Sequence, residues 1–290
     1  MQPLFFTAAI DRLIDLALEE DIGPGDVTTN HLVAADTRAD GVIVAKEPLV
    51  VAGLEVARRV FQRLDPEIHF APSVTDGDSV AAGTVVLSVK GRLAALLTGE
   101  RTALNFLQRL SGIATHVRAY MGLLGDSRVR LVDTRKTTPG WRVLEKYAVR
   151  VGGAANHRMG LFDAVLIKDN HIAACGGIAA AVARIRSQVS HLTKIEVEAA
   201  TLAEVREALT AGVEVIMLDN MDVAGIEEAI RLIDKRALVE VSGGVTAATL
   251  QTLAATGVDL ISVGALTHSA RAVDLSMRIK LNTLNFKLIP

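Results

Sequence analysis

The chain has 290 residues and a formal net charge of -2 at pH 7. Half of its residues are hydrophobic and 22% are charged, which excludes an intrinsically disordered chain. Apolar stretches are broken well before the ~18 residues of a membrane span, no signal-peptide pattern opens the chain, and the single cysteine excludes a disulfide framework or a cysteine-based zinc site. We therefore expect a cytoplasmic protein with no membrane partner, in which Cys175 is buried and inert.

Positive charge is concentrated in the middle of the chain. The segment from Arg101 to His171 contains twelve lysines and arginines against five acids. A basic segment in an otherwise acidic chain suggests a bound anion, either a small polyanionic substrate or nucleic acid. Aromatic residues make up only 3% of the chain, which argues against a protein that stacks bases on aromatic rings. The alternative is a solvated basic surface.

The first part of the chain predicts a small α+β domain. Apolar residues from Ile10 to Leu18 have the spacing of an amphipathic helix, and residues 23–26 (GPGD) end it. Short β-branched runs follow to about residue 90. Residues 100–118 are again helical in pattern, with Ser111 and Gly112 as an expected interruption. We predict an N-terminal domain over residues 1–115.

The rest of the chain alternates strand-like and helix-like segments, which predicts a parallel sheet. Because no G-x-G-x-x-G motif follows a strand, an incomplete (β/α) barrel is favoured over an open doubly wound sheet. We assign the barrel to residues 116–271 and expect residues 272–290 to pack back on the first domain. The six strand-like runs are 131–132, 165–167, 195–197, 215–218, 238–241 and 260–263.

Polar residues at the ends of these runs should face one mouth of the barrel. Side chains two positions apart on a strand lie on the same side of the sheet. The carboxyl ends of the strands are where such barrels build their active sites. The pairs that share a side are Leu166 with Lys168, Glu196 with Glu198, Met217 with Asp219, Glu240 with Ser242, and Ser262 with Gly264.

Four cations and a histidine form the first candidate site. Arg135 and Lys136 follow the first strand, His157 and Arg158 lie in the next connection, and Lys168 ends the second strand. Adjacent arginine and lysine suit the recognition of carboxylate or phosphate. Each cation taken singly is more typical of a structural ion pair. Together they indicate an anion, because clustered cations otherwise repel one another.

Three carboxylates form the second candidate site. Glu196 and Glu198 point the same way from one strand, and Asp219 ends the next strand. Oxygen ligands from one or two carboxylates, completed by substrate oxygens, are how Mg²⁺ is usually held. We interpret Glu198 and Asp219 as functional. The alternative for Glu196 is an ion pair inside the barrel with Lys168 or Arg135.

Glycine turns after the last two strands form the third candidate site. Ser242, Gly243 and Gly244 follow one strand and Gly264 follows the other. Glycines at these positions let backbone N–H groups approach an anion, and such loops often bind phosphate in barrels. A tight strand-to-helix turn is the competing explanation.

The motifs taken in order resemble the quinolinate phosphoribosyltransferase family, the decarboxylating nicotinate-nucleotide pyrophosphorylases. The resemblance rests on EEDIGPGDVTT (19–29), ERTALNFLQRLSGIAT (100–115), DTRKTTPG and LEKYAV (133–149), NHRMGL and LIKDNH (156–171), IEVE (195–198), IMLDN (216–220), SGG (242–244) and VGALTHS (263–269). It implies an N-terminal α/β sandwich followed by an incomplete α/β barrel, assembled as a homodimer. It also implies the conversion of quinolinate and phosphoribosyl pyrophosphate, with Mg²⁺, to nicotinate mononucleotide, pyrophosphate and CO₂ in NAD biosynthesis.

The resemblance also implies roles for individual residues. The quinolinate carboxylates would be held by Arg135, Lys136, His157, Arg158 and Lys168, with Arg101 contributed by the neighbouring subunit. Glu198 and Asp219 would meet the ribose hydroxyls and the metal, directly or through the substrate. Ser242, Gly243, Gly244 and Gly264 would hold the 5'-phosphate. The residues expected to carry the chemistry are Lys136, Lys168, Glu198 and Asp219.

The sequence departs from the family pattern at Trp141, Ala154 and Val241, none of which replaces a charged group. Three other interpretations compete with this function. The nearest is a same-fold relative associated with molybdenum transport, against which the full set of cations argues. The others are a nucleic-acid-binding protein, which would not need Glu198 and Asp219, and a Schiff-base aldolase with Lys168 as its nucleophile.

Overall fold

The computed structural model describes residues 8–281. Residues 282–290 of the predicted C-terminal return lie outside the described residues. The helices are α1 (Ala8–Ile22), α2 (Val27–Leu32), α3 (Leu54–Leu64), α4 (Leu93–Leu124), α5 (Arg142–Gly152), α6 (Asp169–Cys175), α7 (Ile178–Arg186), α8 (Leu202–Ala211), α9 (Val223–Ile233), α10 (Ala247–Ala255) and α11 (Ala265–His268). The strands are β1 (Arg38–Ala45), β2 (Leu49–Val50), β3 (His69–Pro72), β4 (Ser79–Val80), β5 (Val85–Arg92), β6 (Arg130–Val132), β7 (Val165–Ile167), β8 (Ile195–Ala199), β9 (Val215–Asp219), β10 (Leu238–Ser242), β11 (Leu260–Ser262) and β12 (Leu275–Leu281).

The chain divides into two compact units, and the division is not a single cut. Within the described residues, one unit comprises residues 8–118, 138–153 and 270–281, and the other comprises residues 119–137 and 154–269. Compared with the predicted boundary after residue 115, the first unit also takes in the segment that contains α5. The chain therefore leaves the first unit and returns to it twice.

The first unit is built on an antiparallel sheet of four strands. Their order is β12-β1-β5-β3, so the last described strand pairs with the first. Helix α3 buries Val56, Val60 and Phe61, whose spacing of four and five residues puts them on one helix face. Removing these apolar side chains from water stabilises the unit by about 1.5–3 kcal/mol for each large residue.

Helix α4 runs without a break through Ser111 and Gly112, so the expected interruption is wrong. The Ser111 hydroxyl accepts from the backbone N–H of Ala52 at 3.0 Å and donates to its carbonyl at 3.2 Å. At Gly112 the backbone of Arg271 approaches so closely that a Cβ would overlap its carbonyl group. These two small residues are therefore present for close packing and do not end the helix.

The second unit contains a parallel sheet of six strands in the order β6-β11-β10-β9-β8-β7. All six predicted strands are present, and the incomplete barrel is confirmed. Parallel registers join Glu198 to Met217, Met217 to Glu240, and Asp219 to Ser242. Residues in register lie on the same side of a sheet, so the predicted alternation is also confirmed. The carboxyl ends of the strands therefore carry polar residues on one side.

Two smaller expectations concern the surface. Cys175, the last residue of α6, is half-buried, so the expectation of a buried thiol is wrong. None of the residues of α6 is fully buried. Among the described helices, none is both long enough and apolar enough to cross a bilayer.

We predict that Gly112→Ala destabilises the protein, because the added methyl group must displace the backbone at Arg271. Overpacking of this kind costs about 1–3 kcal/mol. Gly122→Ala, near the end of the same helix, is the matched control because nothing lies within 4 Å of the added Cβ. Thermal unfolding should show a lower Tm for the first variant and an unchanged or slightly higher Tm for the second. Equal Tm values would contradict the packing role of Gly112.

Candidate active site

An ion pair joins the ends of two neighbouring strands of the barrel. The Lys168 ammonium donates to the carboxylate of Glu198. Lys168 directly precedes α6, and its backbone N–H donates to Nδ1 of His171 at 3.1 Å. The side chain of Lys168 remains 44% exposed, whereas that of Glu198 is 15% exposed. The lysine therefore partly neutralises Glu198 while remaining accessible to a ligand.

A buried aspartate organises the connection that carries His157 and Arg158. Asp133 follows β6 and is 0% exposed. Its carboxylate accepts from the side-chain amide of Asn156 at 2.6 Å and from the backbone N–H of His157 at 2.9 Å. A charged acceptor with several donors holds a backbone firmly, since leaving those donors unpaired would cost about 1–3 kcal/mol each.

The imidazole ring of His157 lies next to two carboxylates. Its Nε2 is 3.0 Å from Glu196 Oε2 and 3.7 Å from Glu240 Oε1. Its Nδ1 accepts from the backbone N–H of Arg158 at 2.8 Å. The alternative considered for Glu196, an ion pair with Lys168 or Arg135, is wrong in its partner, because Lys168 pairs with Glu198 and the residue beside Glu196 is His157. Burial first, and then the charge of Glu196, raise the pKa of Glu240 to about 7.

Three of the predicted cations have no carboxylate partner. Among the salt bridges between described residues, none involves Arg135, Lys136 or Arg158. Arg158 donates to the carbonyl of Ala164 at 3.2 Å, and burial together with the charge of Arg135 lowers its pKa. The Nε of Arg135 is buried and lacks a hydrogen-bond partner among the described residues. Positive charge at this position is therefore left for a ligand to neutralise.

The loop that follows β9 is joined to the end of β10 by a hydrogen bond. The side-chain amide of Asn220 donates to Asp219 at 3.2 Å, and its backbone N–H donates to the carbonyl of Ser242 at 3.1 Å. Gly243 and Gly244 have φ values of 94° and 59°, which favour glycine. A Cβ on Gly243 would also collide with the amide of Asn220. The tight turn is therefore real, and it exposes backbone next to Asp219.

Gly264 leaves room for the side chain of Lys136. Its φ of -66° is ordinary for any residue, so conformation does not require glycine here. A Cβ would instead lie 2.8 Å from Cδ of Lys136 and 3.2 Å from Nε2 of His268. The Thr267 hydroxyl donates to the carbonyl of Lys136 at 2.7 Å. This corner of the barrel therefore sets the position of Lys136.

Arg101 belongs to a different unit of the chain from the other predicted site residues. It is exposed on α4 in the first unit. There it lines a cavity of about 320 Å³ together with Asp21, Asp26 and Thr98. The other predicted ligands all belong to the second unit.

Comparison with known proteins assigns the family. Sequence models described as "Quinolinate phosphoribosyl transferase, N-terminal domain" and "C-terminal domain" match residues 26–111 and 113–278. The chain belongs to the quinolinate phosphoribosyltransferase family. Its resemblance to the molybdenum-transport-associated relative is accordingly not favoured.

Individual relatives extend the match over nearly the whole chain. A probable nicotinate-nucleotide pyrophosphorylase [carboxylating] from Synechocystis sp. is 49% identical over 276 residues, covering 94% of this chain and 93% of the relative. A protein of the same description from Bacillus subtilis is 43% identical over 273 residues, with 94% of each chain covered. The crystal structure of NadC from Streptococcus pyogenes matches with a TM-score of 0.93 at 44% identity, covering 97% of this chain and 99% of that one.

The three departures from the family pattern all lie in packed positions. Trp141 stacks on Phe106 with ring centroids 4.7 Å apart. Ala154 and Val241 are buried at 8% and 3% exposure. Val241 lies on the side of β10 opposite to Glu240 and Ser242, because it stands between them. Val241 therefore packs on the side of the strand that does not carry the site residues.

Sequence reasoning gave no role to three residues that shape the site. In the sequence, Asp133 and Asn220 stand out only as members of motifs. Glu240 stands out only because it shares one side of its strand with Ser242. The signal for Asp133 and Glu240 was an acid next to or within an apolar strand, which is expensive unless it is paired. The signal for Asn220 was its place directly after a strand, where asparagine tolerates a positive φ, here 55°.

Proposed function

We propose that this protein transfers the phosphoribosyl group of phosphoribosyl pyrophosphate to quinolinate, releasing pyrophosphate and CO₂ and producing nicotinate mononucleotide for NAD biosynthesis. The observation that carries the proposal is the positive charge of Arg135, Lys136 and Arg158, which lacks carboxylate partners among the described residues. A small dianion would supply the missing partners. Membership of the family identifies that dianion as a pyridine dicarboxylate.

Quinolinate would be bound by its two carboxylates. The planar guanidinium groups of Arg135 and Arg158 suit bidentate contacts, and the ammonium groups of Lys136 and Lys168 act as point charges. Lys168 would share its charge between Glu198 and the substrate. His157, which the resemblance groups with these cations, has Nε2 at Glu196 and Nδ1 at the Arg158 amide, so its contribution is to hold the connection.

Phosphoribosyl pyrophosphate would bind at the ends of β8 to β11. Glu198 and Asp219 would accept from the ribose hydroxyls. Ser242, Gly243 and Gly244 would offer backbone N–H groups and a hydroxyl to the 5'-phosphate, with Gly264 at the next strand end. Asp219 and Ser242 are in register on adjacent strands, which supports a site in which the proposed ribose and phosphate ligands would lie side by side. That spacing suits one ribose phosphate spanning two strands.

The transfer step separates positive and negative charge, and residues at the ends of the strands can stabilise both. The bond from the ribose C1 to pyrophosphate breaks with both electrons leaving on oxygen, and the pyridine nitrogen bonds to C1. The ribose gains positive charge, which the carboxylates of Glu198 and Asp219 stabilise, while Lys136 stabilises the departing pyrophosphate. Holding the two substrates in line contributes further to the rate.

Decarboxylation follows on the ribosylated ring. The bond between C2 and its carboxylate breaks, the electron pair stays on C2 beside the positively charged nitrogen, and a proton from water completes the ring. Cations that grip the 2-carboxylate strongly would hold back its release as CO₂. We therefore place the stronger cation contacts at the 3-carboxylate.

Mg²⁺ is part of the proposal, and the donor set suits it. Within the described part of the chain, Asp219 accepts a hydrogen bond from the neighbouring amide of Asn220 and forms no ion pair. Glu198 is already paired with Lys168. Carboxylate oxygens of this kind would hold Mg²⁺ together with substrate phosphate oxygens, and the chemistry supplied by the bound ion would be neutralisation of the pyrophosphate charge. We assign the direct contact to Asp219 and a contact through the substrate to Glu198.

The first prediction tests the reaction and its substrate. Purified protein mixed with quinolinate, phosphoribosyl pyrophosphate and Mg²⁺ should release CO₂ and form nicotinate mononucleotide. Nicotinate, which lacks one carboxylate, should bind about 10- to 100-fold more weakly, because a lost charge-assisted hydrogen bond costs roughly 1.5–3 kcal/mol. Radiolabelled CO₂ release and nucleotide chromatography measure both. Equal turnover of nicotinate and quinolinate would contradict the assignment.

The second prediction concerns Asp219. Asp219→Asn should lower kcat about 10²-fold or more, by analogy with loss of one electrostatic stabiliser, and raise the Mg²⁺ concentration needed for half-maximal activity. Asp222→Asn is the matched control, because Asp222 caps α9 by accepting from Gly225 at 2.8 Å and asparagine caps equally well. Steady-state kinetics at varied Mg²⁺ distinguish the two. Normal kinetics with a lower Tm for Asp219→Asn would assign it a purely structural role.

A homodimer with shared active sites is also proposed. Arg101 belongs to the first unit and the other ligands to the second, and the family resemblance assigns the Arg101 guanidinium to the partner's site. Each site would then combine Arg101 of one chain with Lys136 of the other. The cytoplasmic location expected from the sequence stays a prediction.

The third prediction tests this sharing by mixing two inactive variants. Arg101→Ala and Lys136→Ala homodimers should each be nearly inactive, since every site lacks one cation. A mixed dimer has one site with both defects and one with neither. Co-refolding should therefore restore about a quarter of wild-type activity per chain for random pairing. Persistent inactivity in a preparation shown to contain mixed dimers would place Arg101 in its own chain's site.

A further inference from the structure

Inside the second unit, one histidine and two glutamates form a compact buried cluster that the proposed mechanism does not use directly. One ligand atom from each of His157, Glu196 and Glu240 lies within 4.8 Å of the other two. Glu196 is 8% exposed and Glu240 is 2% exposed. Two glutamates enclosed this far from water need a physical explanation, because a buried charge is costly unless it is paired.

The hydrogen bonds of His157 identify which ring nitrogen carries its proton. The backbone N–H of Arg158 can only donate, and it donates to Nδ1 at 2.8 Å. Nδ1 is therefore an acceptor, which places the ring proton on Nε2. Nε2 then donates to Glu196 at 3.0 Å. His157 is accordingly a neutral link between Glu196 and the backbone of Arg158.

A neutral histidine leaves the two carboxylates without a balancing cation in the cluster. Glu240 Oε1 is 3.7 Å from Nε2 of His157, longer than a hydrogen bond. Oε1 of Glu240 and Oε1 of Glu196 are both buried and have no hydrogen-bond partner in the described part of the chain. Two adjacent buried carboxylates repel each other when both are charged, whereas one proton between them satisfies an oxygen on each.

We propose that Glu240 is a positioning residue for the reaction set out above: it carries a proton and donates it to Glu196, which keeps Glu196 oriented as the acceptor for His157. Through His157 this chain of contacts holds the amide of Arg158, whose guanidinium is a proposed substrate ligand. The inference rests on the proposed function only for the role of Arg158. The proton on Glu240 follows from the cluster itself.

The surroundings of Glu240 agree with a protonated side chain. The ionisable groups that face it are Glu196 from β8 and His157 from the connection after β6, while Met217 of β9 and Ser262 of β11 carry no charge. Burial and the charge of Glu196 raise the pKa of Glu240 to about 7, against the hydrogen bond of Ser262 and the charge that His157 would carry if its ring were protonated. Glu240 is therefore protonated below about pH 7 and loses its proton above it.

The proton also affects the charge available to the substrate. The charge of Glu196 already acts on Arg158. When Glu240 ionises, a second negative charge joins the first, and the two carboxylates no longer share a hydrogen bond. The affinity for a dianionic substrate should then fall, because the net positive potential near Arg158 decreases.

The first experiment is the pH dependence of KM for quinolinate. In the wild type, KM should rise about fivefold as pH increases from about 6 to about 8.5, a change that a single added charge in a partly solvated site can produce. Glu240→Gln donates the same hydrogen bond without a titrating proton, so its KM should be low and nearly independent of pH in this range. Glu240→Met has no donor and should have a high KM at every pH. Rescue by glutamine and not by methionine separates orientation from volume.

Glu228→Gln is the matched control for these variants. Glu228 lies on α9 of the same unit, where it pairs with Arg231 on the exposed surface. Removing its charge changes the net charge of the protein as much as Glu240→Gln does. Its KM profile should follow the wild type. A wild-type profile in Glu240→Gln as well would overturn the positioning role.

The second experiment detects the proton without any activity measurement. Infrared difference spectra of the unliganded protein should contain the carbonyl-stretch band of a protonated carboxyl group at about pH 6 that disappears above pH 7, where the pKa of about 7 places the transition. The band should be absent from Glu240→Gln and present in Glu228→Gln. The wild-type titration is informative even if a variant fails to fold. No band, or an unchanged band in Glu240→Gln, would overturn the proton on Glu240.

A bound metal ion is the other way to satisfy the buried oxygens of Glu196 and Glu240. The same protein samples test for such an ion. Elemental analysis of purified protein should find no stoichiometric metal that Glu240→Gln removes. Such a metal would overturn the proposal. If the wild type turns over no quinolinate but the infrared band behaves as expected, the proposed function fails while the proton on Glu240 stands.

Discussion

Positive charge that the protein leaves without carboxylate partners is the constraint around which this site is built. Arg135 and Arg158 lie close enough for the charge of one to lower the pKa of the other. Like charges at this distance destabilise a folded protein unless something opposes them. The chain contains 33 acidic residues against 31 basic ones, so acids are not scarce. Glu196 and Glu198 act on Arg158 through their charge, but their direct contacts are with His157 and Lys168, which leaves the guanidinium of Arg158 available for an anion.

The surrounding structure holds these cations in place without neutralising them. Asp133 accepts hydrogen bonds from the side-chain amide of Asn156 and the backbone N–H of His157. These bonds fix the connection after β6. The salt bridges between described residues include none between Asp133 and Arg158. His157 contacts the amide of Arg158 and leaves the guanidinium to reach a carbonyl. Gly264 supports Lys136 differently, because the absence of a Cβ leaves space for the lysine side chain. Rigid support combined with unpaired charge is what preorganised electrostatic catalysis requires.

Several features could be predicted from sequence because they depend on local pattern. The six strands of the barrel follow from short apolar runs, and the side on which Glu198 and Asp219 lie follows from the alternation along each strand. Ser111 and Gly112 show where the same approach fails. Small polar residues suggest a helix end, but here they fit against Ala52 and the backbone of Arg271. The prediction that Cys175 is buried is wrong for a similar reason, since the exposure of this residue depends on which elements cover α6.

The sequence by itself determined the fold class, the family and the residue types at each strand end, because these are properties of periodicity and of ordered motifs. Only the tertiary structure decided which charges pair. The sequence offered Lys168 or Arg135 as a partner of Glu196, whereas the parallel register of β7, β8 and β9 brings Lys168 to Glu198 and His157 reaches Glu196. It likewise decided that Glu240 is enclosed beside Glu196. Pairing and burial depend on distances of a few ångströms between segments far apart in the chain, and no local pattern contains those distances.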